Sequence, residues 1–170
     1  MTGAAAPSAD GRDGTLYAAF NLGHFGVKLH RLDAGSERWT EIAAPAYRLK
    51  PQDSDDPVEW KNKLIWSLEA GGKDQPGVLW AGTLPGGLFK SCDRGHCWEL
   101  VRALWDVPQR RDWFGGGYDV PGIHSICVDP RNSEHLVLGV SCYGVWRSED
   151  GAPAGPCRQP VCAPTTCRLN

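Results

Sequence analysis

The chain has 170 residues, 18 Lys and Arg against 20 Asp and Glu, and a net charge of −2. That length fits one ordinary domain, and so balanced a charge offers no electrostatic case for nucleic acid or an anionic membrane as a partner. No apolar stretch approaches spanning length, and Met1-Thr2-Gly3-Ala4-Ala5-Ala6-Pro7 lacks the basic and apolar regions of a secretory signal, so the expected location is cytoplasmic.

In chain order, residues 1–13 read as a disordered N-terminus followed by a turn, with no strand ahead of it. The first expected strand is Gly14-Thr15-Leu16-Tyr17-Ala18-Ala19-Phe20. A second follows the loop Asn21-Leu22-Gly23-His24 and runs through Phe25-Gly26-Val27-Lys28-Leu29-His30-Arg31 into the turn Leu32-Asp33-Ala34-Gly35. The same grammar returns twice. Leu79-Trp80-Ala81-Gly82 and Gly87-Leu88-Phe89-Lys90 run into Ser91-Cys92-Asp93-Arg94-Gly95-His96-Cys97-Trp98. Leu136-Val137-Leu138-Gly139 and Gly144-Val145-Trp146-Arg147 run into Ser148-Glu149-Asp150-Gly151. The three turns begin 59 and 57 residues apart, and a period of this kind marks a repeat architecture.

Apolar, partly β-branched segments precede the second and third copies, namely Ile65-Trp66-Ser67-Leu68 and Ile123-His124-Ser125-Ile126-Cys127-Val128. Breaker-rich turns separate them from the Leu79 and Leu136 strands. Each unit therefore reads as strand A, turn, strand B, Gly-rich loop, strand C, Asp/Gly hairpin, strand D, the four-stranded antiparallel meander of a propeller blade. The expected fold is all-β, a partial β-propeller of about three such blades, one of them complete. Residues 14–42 form a partial blade, 43–63 a loop insertion, 64–101 the complete blade, 102–122 an aromatic and Gly-rich insertion, and 123–151 a second partial blade.

The hairpin Ser91-x-Asp93-x-Gly95-x-x-Trp98 has a physical job. Ser91 and Asp93 are placed to accept hydrogen bonds from turn N–H groups, Gly95 to take a positive φ, and Trp98 to cover the turn with an apolar face. The spacing resembles the Asp-box (BNR) repeat, S/T-x-D-x-G-x-T/S-W, of sialidases, sortilin-type receptors and related propellers. The first copy is eroded at Leu32 and Ala34, and the third keeps Ser148 and Asp150 but lacks the Gly-x-x-Trp. Most of residues 14–151 resembles bacterial Asp-box, WD40/YVTN-like, seven-bladed propellers. The resemblance rests on Gly14-Thr15-Leu16-Tyr17-Ala18-Ala19, Asn21-Leu22-Gly23-His24-Phe25-Gly26-Val27, Leu79-Trp80-Ala81-Gly82-Thr83, Trp113-Phe114-Gly115-Gly116-Gly117-Tyr118 and Pro121-Gly122-Ile123-His124-Ser125-Ile126. It implies a truncated member of a superfamily whose members are often named exo-α-sialidase or glycosyl hydrolase. The Phe/Tyr-Arg-Ile-Pro motif of sialidases is absent from the sequence, so a glycosidase assignment would rest on the Asp boxes alone, and these serve equally as hairpin staples.

Seven cysteines show neither Cys-x-x-Cys nor Cys/His zinc spacing. Cys92 and Cys97 flank one turn and, in a reducing compartment, read as free thiols. After Gly151 the composition turns to Pro, Ala, Thr and Cys. Residues 152–170 read either as a frameshifted tail or as a disordered Pro-rich one, and the coding DNA separates the two.

In a propeller the B–C and D–A connections emerge on one face, and here they hold the excess length and aromatic content. Trp113 and Tyr118 are expected to form an aromatic platform, and Arg110 and Arg111 to hold a carboxylate or phosphate. His24, Asp119 and His124 are the candidate catalytic residues, as acid/base groups or two metal ligands; the alternative is that each histidine is a hydrogen-bonded turn residue. Ser91, Asp93, Gly95, Trp98, Ser148 and Asp150 are read as structural Asp-box residues. No cofactor or metal is expected. The expected partner is a small molecule, carbohydrate or protein on the loop-rich face, with missing blades supplied by another chain. The function expected is a ligand- or protein-binding scaffold. The alternatives are a sialidase-like hydrolase or lyase, or a truncated product without function of its own.

Overall fold

The computed structural model describes residues 13–148 together with the backbone of Ser8–Ala9. Three antiparallel sheets follow one another along the chain. The first holds β1 (Ser8–Ala9), β2 (Leu16–Asn21), β3 (Val27–Leu32) and β4 (Thr40–Ile42). The second holds β5 (Leu64–Ala70), β6 (Leu79–Leu84), β7 (Leu88–Ser91) and β8 (Glu99–Leu100). The third holds β9 (Ile123–Asp129), β10 (Asn132–Val140) and β11 (Gly144–Ser148). Each sheet runs in chain order, so each is a meander, and the chain is a partial propeller.

One boundary differs from the sequence reading. Ser8 pairs with Tyr17 and Ala9 with Leu16, so a short strand A stands where a turn alone was expected. A Ser-Ala pair has neither the β-branching nor the alternation that would announce a strand. The first sheet is thus four-stranded, like the second.

Alternation along the strands explains how the sheets stack. Tyr17, Ala19 and Leu29 on one face of the first sheet bury against Ile65, Leu68, Leu79, Ala81 and Phe89 of the second. Trp80 and Leu88 point the other way and bury against Ile123, Ile126, Leu136, Leu138 and Val140 of the third. Strand β6 therefore feeds two cores at once, which is why all six of its residues are buried.

The Ser91–Trp98 hairpin behaves as a staple. Ser91 Oγ accepts the Gly95 N–H at 2.9 Å and donates to Asp93 Oδ1 at 2.8 Å. Asp93 Oδ1 also accepts the Cys97 N–H at 2.9 Å, and Gly95 sits at φ 85°. The Trp98 indole N–H donates to the Ala43 carbonyl at 2.9 Å, tying the hairpin to the connection that leaves β4. From the same turn, Arg94 donates to Thr15 Oγ1 and Asp33 Oδ1, each at 2.8 Å, which joins the second sheet to the first. Cys92 and Cys97 are disulfide-bonded, a correction to their reading as free thiols. That reading rested on compartment alone, whereas their positions at the two ends of one tight turn are a matter of fold. In the third copy Ser148 ends β11. Asp150 and the tail from 152 lie outside the described residues.

Candidate functional site

The meander topology sends the connections 43–63 and 101–122 and the B–C loops to one end of the sheets. The two long connections lock together there. Arg111 makes a two-pronged pair with Asp55, at 2.7 and 2.8 Å, in the open. Beside it Arg110 and Asp56 form a buried ion pair, their side chains 6% and 4% exposed. The Arg110 guanidinium also lies 3.9 Å over the Trp105 ring. Asp56 accepts the Trp60 indole N–H at 2.8 Å and the Val58 N–H at 3.1 Å. Burial pushes the Asp56 carboxyl up, but Arg110 and these two donors outweigh it and hold it below the usual carboxylate range. Tyr47, from the same connection, meets Thr83 Oγ1 at 2.6 Å and accepts the Gly87 N–H at 2.9 Å.

These contacts relocate several expected binding residues. Arg110 and Arg111 are each occupied by a carboxylate of the facing connection rather than held ready for an incoming anion. Trp113 is 5% exposed and packs in the core, its ring 5.3 Å from that of Trp146, so it offers no face to a ligand. An aromatic loop next to Gly can either cover a core or present a platform, and sequence alone does not separate the two.

Tyr118 does stand out into solvent, at 52% exposure. It is carried by the Gly115-Gly116-Gly117 loop, whose backbone folds so closely on itself that a Cβ at Gly115 would fall 1.9 Å from the Tyr118 carbonyl oxygen. Its ring meets the Trp66 ring edge to face at 5.3 Å, and Trp66 in turn meets His124 at 5.8 Å. Trp66 and His124 share a backbone device. The β5–β6 pairing steps from Ile65↔Thr83 to Ser67↔Gly82, leaving Trp66 as an extra residue. The β9–β10 pairing steps from Ile123↔Val140 to Ser125↔Gly139, leaving His124 as an extra residue. The A strands of the second and third sheets thus bulge at the same place, and each aims one side chain out of the ladder, as bulges beside functional sites do. Trp66 was not singled out from the sequence, yet the signal was there: Ile65-Trp66-Ser67 aligns with Ile123-His124-Ser125.

The remaining candidates are not drawn together. His24 lies exposed in a short 3₁₀ turn, Gly23–Phe25, with its ring 4.0 Å from Phe25. Asp119 is exposed, and the His124 Nδ1 is 2.7 Å from Ser125 Oγ. No described contact joins His24, Asp119 and His124, and among the described residues no three His, Cys, Asp or Glu side chains are grouped to hold a metal. A groove of about 310 Å³ lies elsewhere, along β8 under the 43–63 connection. Trp60, Trp98, Arg48, Glu99 and Arg102 line it together with Ala46 and Leu100. No helix among the described residues is long and apolar enough to cross a membrane.

The fold places this chain among β-propellers. A GH74 xyloglucanase from Xanthomonas campestris is similar in structure, with a TM-score of 0.57 and 20% sequence identity. The likeness covers 91% of this chain and 21% of that one, so this chain spans about a fifth of the enzyme's length. No protein family matches the sequence, and no curated protein matches it.

Proposed function

We propose that this chain is a ligand-binding module of an Asp-box propeller, which takes a small ligand with a pyranose-type face at its loop-rich end. The observation that supports this reading is the pair of equivalent bulges that aim Trp66 and His124 to the same place, where exposed Tyr118 joins them. Two aromatic rings meeting edge to face leave a ring face for the C–H surface of a sugar, and the imidazole supplies a hydrogen-bonding group beside it. The hydrogen bonds of Ser91 and Asp93 support the Asp-box assignment of the scaffold.

The test is a tryptophan-fluorescence titration of the full chain with neutral and carboxylated mono- and disaccharides. The expected result is a saturable change that Tyr118→Ala and His124→Ala each weaken by about tenfold, on the order of 1.4 kcal/mol, while Arg48→Ala in the β8 groove leaves it unchanged. No response to any sugar overturns the reading. Loss with Arg48→Ala alone moves the site to the groove.

A second reading is a glycosyl hydrolase of the sialidase-like kind, favoured by the fold likeness to a propeller hydrolase. Such chemistry usually needs paired carboxylates, and Asp119 directly follows Tyr118 in sequence. Release of fluorophore from a panel of 4-methylumbelliferyl glycosides, abolished in Asp119→Asn, would support it; the absence of turnover by the unaltered chain would remove it.

A further inference from the structure

The three sheets can be superimposed by their pairing register. Leu16↔Leu32, Leu79↔Ser91 and Leu136↔Ser148 are equivalent pairs. Counting from them, Ala19↔Leu29, Gly82↔Leu88 and Gly139↔Val145 occupy the same place. In the first sheet Tyr17, Ala19 and Leu29 form the face that covers the second. In the second sheet Trp80 and Leu88 cover the third. The approach is close at Gly82, where a Cβ would lie 2.6 Å from the Ile123 carbonyl oxygen, and Ser67 Oγ donates to that same oxygen at 2.9 Å.

The third sheet carries the same set. Val137, Gly139 and Val145 stand at the positions of Trp80, Gly82 and Leu88, and Ser125 stands opposite Gly139 as Ser67 stands opposite Gly82. Here the face is open at Val137 and Val145, 41% and 73% exposed, while the His124 ring lies over Gly139. The surface that receives such a face is also spelled three times. Leu79, Ala81 and Leu136, Leu138 receive it within the chain. Leu16, Ala18 and Phe20 stand at the matching positions of the first sheet, on the side away from the second, and Phe20 holds His30 edge to face at 5.3 Å.

We propose that the open face of the third sheet docks the first sheet of a second copy of this chain, head to tail. The interface repeats the two sheet–sheet contacts already made within the chain, with Val137, Gly139 and Val145 of one copy against Leu16, Ala18 and Phe20 of the other. The copy is favoured as occupant because each chain carries both complementary halves in the same register. Such an interface is heterologous, so its two halves can be disabled separately.

The experiment is sedimentation velocity of the full chain across a concentration series, with Val145→Asp on the donating face and Phe20→Asp on the receiving face, and circular dichroism to confirm that each variant is folded. The unaltered chain is expected to self-associate. Each variant alone is expected to lose association by about a hundredfold, the cost of burying an unpaired carboxylate. An equimolar mixture of the two is expected to form a heterodimer and nothing larger, because one intact interface remains between them. A monomeric unaltered chain overturns the proposal, as does association indifferent to Val145→Asp. Loss in both variants without rescue on mixing overturns the head-to-tail pairing. Should either Asp variant prove unfolded, Val145→Thr and Phe20→Ser take its place.

Discussion

At the scale of single residues, the buried pair Arg110–Asp56 is the feature with the largest consequence. Both side chains are almost wholly enclosed, and Asp56 adds the Trp60 and Val58 donors. Replacing Arg110 by Met keeps the packing on Trp105 but strands a buried carboxylate, so we expect a loss of about 3–5 kcal/mol, measured by urea denaturation. Asp56→Asn is expected to destabilise as well, and to change the acid limb. The folded carboxyl titrates below its unfolded value, so its contribution is full above about pH 4 and is lost as the pH falls through the lower folded pKa. The Asn variant should therefore show a shallower loss of stability on acidification than the unaltered chain. None of this was legible in the sequence. Asp55-Asp56 and Arg110-Arg111 are doublets in separate connections, their partners 54 and 56 residues apart, and which charge finds which depends on two long loops folding over one another. The arginines were visible as anion binders; that the anion is the protein's own was not.

At the scale of elements, legibility was high wherever a local rule and the repeat agreed. The Leu79 and Leu136 strands are placed by the repeated apolar-x-apolar-Gly pattern, and their partners by breaker-rich turns. The Ser91 hairpin carried its hydrogen-bond pattern in its residue types alone. Strand β1 escaped because two residues carry no period, and the Trp66 bulge escaped because a bulge is defined by the partner strand. The hairpin gives an element-scale test. Ser91 is 1% exposed and bonds both the Gly95 N–H and Asp93. Ser91→Ala leaves a buried donor without its acceptor and is expected to cost about 1–3 kcal/mol. The matching change in the first copy has no hydroxyl to remove, since Leu32 stands there. A Leu32→Ala control should thus report only lost apolar contact. If Ser91→Ala shifts the denaturation midpoint no more than an exposed Ser36→Ala, the staple reading of the hairpin fails.

At the scale of the whole molecule, the sheets are held as a stack by two successive apolar cores rather than by one central core. Gly82 is one place where the second and third sheets come very close. A Cβ there would meet Ser67 Oγ at 2.3 Å, the Ile123 carbonyl oxygen at 2.6 Å and Ile123 Cγ2 at 2.7 Å. Two of the three belong to the neighbouring sheet, and one of those is backbone, which cannot rotate aside. Gly82→Ala must therefore separate the sheets or break the Ser67–Ile123 hydrogen bond, at an expected cost of about 1–3 kcal/mol. The nearest group to a Cβ in the equivalent Gly139→Ala is the His124 ring, 2.6 Å away at Cε1, an exposed side chain rather than the backbone of a neighbouring sheet. The same substitution at two equivalent positions is thus expected to differ in cost because one has a neighbouring sheet and the other an open face. Amide exchange locates the effect: in Gly82→Ala, protection should fall in β9 and β10 while β2 and β3 hold theirs, since the first and second sheets share a separate core. Equal loss in all three sheets would mean that the stack unfolds as one unit and that the narrow approach at Gly82 does not set the coupling between neighbours.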